Sequence, residues 1–167
     1  VMDEMGRQCA VLSVNMGGED LFAEKLCDLS RYYHRARVLT EANTGGAGKV
    51  VIKMLIREGI PIWRDNKGKD WITSRGNKEM AYSWARQMVN NDAFEINDHS
   101  TIQELMHVRE EKGKIEGQDG YHDDHAMAFV LSCWALRRCP GFNGPKVYRE
   151  RSKISTNPMN RIKRALR

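Results

Sequence analysis

A chain of 167 residues with 41% hydrophobic content is long enough to fold around one real core, and its simplest reading is a single domain. No apolar run reaches transmembrane length and no secretory signal pattern stands at the start, so no membrane partner is expected. The net charge of +5 is uneven: residues 146–167 hold eight of the 27 Lys/Arg and one of the 22 Asp/Glu, a +7 segment that leaves residues 1–145 at −2.

The expected division is therefore a domain over residues 1–140 and a flexible basic tail over 141–167, suited to a polyanion or simply solvated. Four cysteines (Cys9, Cys27, Cys133, Cys139) are scattered without a C-x-x-C pair. They are expected as free thiols acting as small hydrophobes, not as zinc ligands.

In chain order, "VMDEMGRQCAVLSVN" reads as a strand, a tight turn at residues 3–6 and a second strand through 9–14. "EDLFAEKLCDLSRYYHRA" carries apolar residues at helical spacing. "RVLTEAN" reads as a short strand ending in "TGGAG", and "KVVIKMLIREG" as a helix closed by Gly59. "IPIWRD" is a strand, "NKGKDWITSRGN" a polar basic loop, "KEMAYSWARQMVNN" a helix and "AFEIND" a strand. "STIQELMHVRE" is a helix with Ser100 as its N-cap, "KIEGQ" a strand, and a last helix runs from Ala126 to about Arg138. The order predicts an α/β domain with a mixed sheet, an antiparallel hairpin followed by parallel strands, flanked by helices.

"GGAGK" is not a P-loop: Asn43 stands where the first glycine belongs, and Val50 replaces the hydroxyl that would meet Mg²⁺. The glycines instead let the backbone turn from strand to helix. Glu41 ends the "RVLTE" strand, at the sheet edge where functional groups collect. Asp123 and Asp124 open the last helix, and two readings stay open for them. An Asp before a helix is a good N-cap and a second acid favours the helix dipole. Alternatively, two carboxylates at the start of an apolar, sheet-packed helix are hard oxygen ligands for Mg²⁺ or Mn²⁺. His122 and His125 lack an H-E-x-x-H pattern, which argues against zinc.

Taken together, "VLTEANTGG", "ITSRGNKEM", "FEINDHSTIQEL" and "GYHDDHAMAFVLSCWA" resemble, in order and spacing over residues 1–138, the nuclease domain of tailed-phage terminase large subunits. The resemblance implies an RNase H-like fold and a metal-dependent endonuclease that cuts concatemeric double-stranded DNA during packaging in the infected cell's cytoplasm. It implies two Mg²⁺ or Mn²⁺ ions held by Glu41, Asp123 and Asp124, with Thr73 and Lys78 as a polar element beside them. Its partners would be a portal protein, a small terminase subunit and an ATPase domain of the same subunit that precedes this one. The family's first catalytic Asp lies on a strand expected upstream of Val1; the alternative, Asp3, requires a shortened hairpin. Arg64, Lys67, Lys69, Arg75 and Lys78 are the candidates to guide DNA phosphates. A non-catalytic nucleic-acid-binding or assembly module, or another RNase H-like enzyme such as a junction resolvase, are the rival readings.

Overall fold

The computed structural model describes residues 1–14, 17–43, 46–111 and 113–142. The basic segment 146–167, and the tail expectation that falls on it, lie outside the described residues. The described chain is mixed α/β, with helices α1 (Glu19–Tyr32), α2 (Ala47–Arg57), α3 (Arg75–Asn90), α4 (His99–His107) and α5 (Asp124–Leu136), and strands β1 (Val108–Glu111) and β2 (Lys114–Gly117). It forms two compact units, Leu12–Ser74 and a discontinuous one made of Val1–Val11 with the chain from Arg75 onward.

In the Leu12–Ser74 unit, Glu19 and Asp20 open α1 and Arg31 closes it, matching the helix dipole at both ends. Apolar stripes of α1 and α2 meet in a core of Ala23, Cys27, Val51, Leu55 and Ile60, with Phe22, Leu26, Val38, Met54 and Ile62 packed against it. An ion pair of 2.9 Å between Arg31 and Glu58 joins the helix ends at the surface.

The strands predicted at "RVLTEAN" and "IPIWRD" are extended segments joined by one isolated parallel bridge, Val38 with Ile62, and a second bridge ties Glu41 to Trp71 in the stretch predicted as a loop. The reason is chemical. Pro61 accepts from the Val38 N–H, but it has no N–H of its own to carry the ladder back to Ala36. The Ala36 carbonyl takes the Ser30 hydroxyl at 2.8 Å instead. Beyond Val38 the chain changes partner, the Ala42 N–H donating to the Trp71 carbonyl at 2.7 Å.

In the discontinuous unit, the expected hairpin turn is present, with an antiparallel bridge between Met2 and Gln8. Gly6 lies at φ 79°, and a side chain there would overlap the Ala93 carbonyl. The predicted "AFEIND" strand is again a single parallel bridge, Arg7 with Glu95. Here a side chain continues what a ladder would do. The Gln8 amide oxygen accepts from the N–H groups of Asn97 (3.0 Å) and Asp98 (2.8 Å), and its NH₂ donates to the Thr101 hydroxyl at 3.1 Å. Gln8 and Thr101 are buried, and every one of these groups is satisfied.

The N-cap of α4 is Asp98 and not Ser100, which lies inside the helix. The Asp98 carboxylate accepts from the Thr101 N–H at 2.6 Å and from its hydroxyl at 2.8 Å. The helix expected through "HVRE" stops at His107, and Val108–Glu111 pairs antiparallel with Lys114–Gly117. Opposite charges face each other in that register, Arg109 with Glu116 and Glu111 with Lys114, which favours the hairpin over a longer helix. This is the one sheet among the described residues, so the mixed RNase H-like sheet predicted from the sequence is not seen there.

Helix α5 is apolar nearly all round and buries Ala126, Phe129, Val130, Leu131, Cys133 and Leu136. The Trp84 indole N–H of α3 donates to the Cys133 carbonyl at 3.3 Å, and Arg137 lies over both Trp84 and Trp134. Cys27 and Cys133 are buried, and desolvation pushes both thiols up, so they behave as the small hydrophobes expected; Cys9 is exposed. No described helix is long and apolar enough to cross a membrane.

Burial alone would raise the Asp98 carboxyl, but the two hydrogen bonds from Thr101, with His125 and His99 nearby, hold it below its ordinary 3.8. A depressed folded-state pKa stabilises the fold above the unfolded value and loses that contribution as pH falls through the folded one. Asp98→Asn keeps a competent cap without the titration. Urea unfolding is expected to find it within about 1 kcal/mol of the parent at pH 7. Below 3.8 its stability should fall less steeply with pH than the parent's.

Candidate acidic site

Glu41 ends its extended segment in a tightly built corner of the Leu12–Ser74 unit. The Asn43 amide donates to the Glu41 carboxylate, while its oxygen accepts from the Thr73 N–H at 2.8 Å. The Thr73 hydroxyl in turn accepts from the Trp71 indole N–H at 2.9 Å. Trp71 is buried and bridges back to Glu41, which closes the circuit. The "E-x-N" spacing thus has a physical meaning: the residue two beyond the Glu returns to orient its carboxylate. The following helix comes so close that a Cβ on Gly48 would overlap the Glu41 carbonyl oxygen. That close approach is what a glycine at position 48 permits.

Asp123 and Asp124 lie in the other unit, at the start of α5. Asp123 occupies the N-cap position, yet its side chain makes no capping hydrogen bond, which overturns the capping role that the sequence allowed it. The Asp123 carboxylate points to the Lys78 ammonium of α3, 3.2 Å away and partly buried. The cap comes from α4 instead. One Glu104 oxygen accepts from the N–H groups of His125 (2.7 Å) and Ala126 (3.0 Å), and the other meets His125 Nδ1 at 2.6 Å. Desolvation would raise the Glu104 carboxyl, but these hydrogen bonds outweigh it and hold the group below its ordinary 4.5. Asp124 is exposed. Lys78 also lies 5.9 Å from the Tyr82 ring centroid. The Tyr82 hydroxyl is buried without a hydrogen-bond partner, and desolvation together with the charges of Asp123 and Glu104 pushes its pKa far up, so it stays neutral.

The basic candidates differ in what they do. Arg64 pairs with Asp70 at 2.9 Å, and Arg75 pairs with Glu79 at 3.1 Å. Lys67 and Lys69 stand exposed on a turn whose backbone is tied to the Asp65 carboxylate by two 2.8 Å hydrogen bonds. A groove of about 250 Å³ between the start of α3 and β2 is lined by Arg75, Lys78, Lys114, Glu79, Ile115 and Glu116.

Asp3 is committed to the hairpin turn. Its carboxylate accepts from the N–H groups of Met5 (2.9 Å) and Arg7 (2.8 Å) and pairs with the Arg7 guanidinium at 2.7 Å. Of the predicted site residues, the structure brings together Asp123, Asp124 and Lys78 in one unit and Glu41 and Thr73 in the other. Among the described residues no three His, Cys, Asp or Glu side chains form a ready metal cluster. No protein-family model and no curated protein matches this chain. Asn43, Glu104, His125 and Tyr82 were not singled out for these roles by the sequence. Only the "E-x-N" spacing hinted at one of them; Glu104 and His125 meet across 21 residues, and the burial of the Tyr82 hydroxyl is set by the fold.

Two outcomes test this geometry. Gly48→Ala is expected to destabilise the fold by about 1–3 kcal/mol through overlap with the Glu41 carbonyl, read as a lowered midpoint of thermal unfolding by circular dichroism. Tyr82→Phe removes a buried, unsatisfied hydroxyl and is expected to raise stability by about 1 kcal/mol in urea titration.

Proposed function

We propose that this chain is an RNase H-like, metal-dependent DNA endonuclease domain of a viral packaging terminase. One observation carries the proposal: two adjacent carboxylates open a buried apolar helix, and neither caps it. Asp123 makes no capping hydrogen bond, and a cation, the Lys78 ammonium, already stands against it. A pair of anions held that way suits a divalent cation, and the donor set is of the hard oxygen type that Mg²⁺ and Mn²⁺ prefer. Asp123 and Asp124 would hold the ions, with remaining positions left to water, substrate and further carboxylates, the role that the resemblance gives Glu41. When bound, paired divalent ions supply an activated water and charge stabilisation for phosphodiester hydrolysis.

The chain's own residues do the rest. Asn43 and Thr73 hold the Glu41 carboxylate in one orientation. Lys78, held between Asp123 and the Tyr82 ring, would be the cation that meets a phosphate oxygen of the substrate. Lys67, Lys69 and Arg75 meet backbone phosphates, which gives affinity without base readout. Double-stranded DNA is then the substrate, in the cytoplasm of an infected cell, with portal protein, small subunit and ATPase domain as assembly partners.

A non-catalytic packaging module is the second reading, in which Asp123 keeps Lys78 as its partner. The two separate on supercoiled plasmid incubated with the natural full-length protein and Mn²⁺. Nicking that EDTA stops and that Glu41→Ala and Asp124→Asn abolish is the expected result. DNA retention without cleavage under any divalent cation would sink the nuclease proposal and leave the module.

A further inference from the structure

We infer that Glu104 is a positioning residue for the acidic pair, taking over the cap of α5 so that Asp123 and Asp124 remain available to a cation. The inference rests on the metal-site proposal and names a residue that the resemblance did not. A helix start leaves its first N–H groups without partners, and an N-cap Asp ordinarily folds its carboxylate back onto the second or third of them. With Asp123 at the N-cap, those amides belong to His125 and Ala126, and they are the two that Glu104 takes. The second Glu104 oxygen grips the His125 ring, so the side chain is held at both ends of its carboxylate. Glu104 is well placed to stay there, its side chain 14% exposed. It projects from α4, whose own start is tied down by Asp98, Thr101 and the buried Gln8 amide. Hairpin, α4 and α5 are thereby linked by polar contacts that end at the acidic pair. An anion at that helix start is also favoured by the dipole, so removing Glu104 leaves those amides to Asp123, the adjacent carboxylate, once its backbone moves from φ −127°, ψ 15° to the extended conformation of a capping residue.

The consequence is specific. Without Glu104, the Asp123 carboxylate turns back onto the helix amides and is lost as a ligand. Residues that orient metal ligands are typically worth about 10–100-fold in affinity. The experiment measures Mn²⁺ binding by calorimetry and backbone amide exchange over residues 124–127, in the parent protein and in Glu104→Ala and Glu104→Gln. Glu104→Ala is expected to bind Mn²⁺ about 10–100-fold more weakly and to change exchange at His125 and Ala126. Glu104→Gln keeps an oxygen for both amides and is expected to stay within about threefold of the parent, well short of that loss. If Glu104→Ala does not fold, Glu104→Asp takes its place, keeping the charge but not the reach, with the same loss expected. Unchanged Mn²⁺ affinity in a folded Glu104→Ala or Glu104→Asp overturns the inference while leaving the metal site standing. A parent protein that binds no Mn²⁺, or binds it equally after Asp123→Asn and Asp124→Asn, overturns the metal site itself and this inference with it.

Discussion

Two amide hydrogens at the start of α5, those of His125 and Ala126, need a partner that the helix cannot supply. How that need is met decides the character of the acidic site. Had the adjacent Asp123 met it, the "HDD" stretch would be a helix cap and nothing more. Glu104 meets it from α4, and Asp123 turns to Lys78. A capping hydrogen bond contributes about 1 kcal/mol whichever carboxylate provides it, so stability alone does not choose between them. The choice matters because it leaves two acids side by side, with the Lys78 ammonium against Asp123.

The same substitution of side chain for backbone recurs in both units. Gln8 satisfies the N–H groups of Asn97 and Asp98 where a longer parallel ladder would have used carbonyls. Ser30 occupies the Ala36 carbonyl that a ladder through Pro61 could not reach. Buried polar groups that are fully satisfied in this way define one arrangement, since any shift leaves several of them unpaired at once. The extended segments are therefore held in place although they pair through single bridges.

Around Glu41 the constraint is steric as much as polar. The Gly48 backbone packs against the Glu41 carbonyl, and Asn43 and Thr73 tie the strand end to Trp71. A carboxylate fixed by its neighbours loses little further freedom on meeting a cation, which is the preorganisation a metal-dependent nuclease, as proposed, would need.

Several features were legible in the residues themselves. The five described helices were all legible, α1 from an apolar stripe at intervals of three and four and α5 from a nearly continuous apolar run. The turn at residues 3–6, the Gly-rich corner after Glu41 and the two acids before an apolar helix were visible for the same local reason. What the sequence could not determine was partnership across distance. Ser100 and Asp98 are both acceptable caps, and only the Thr101 hydrogen bonds select Asp98. "HVRE" continues a helical pattern, and only pairing with "KIEG" turns it into a strand. Glu104 lies 21 residues from His125 and Lys78 lies 45 from Asp123, so neither contact leaves a periodic trace in the chain. The sequence by itself determined that two carboxylates stand at the start of a buried helix. Tertiary structure alone decided that they do not cap it, because hydrogen-bond satisfaction is settled by whichever acceptor the fold brings within about 3 Å, wherever that acceptor lies in the chain.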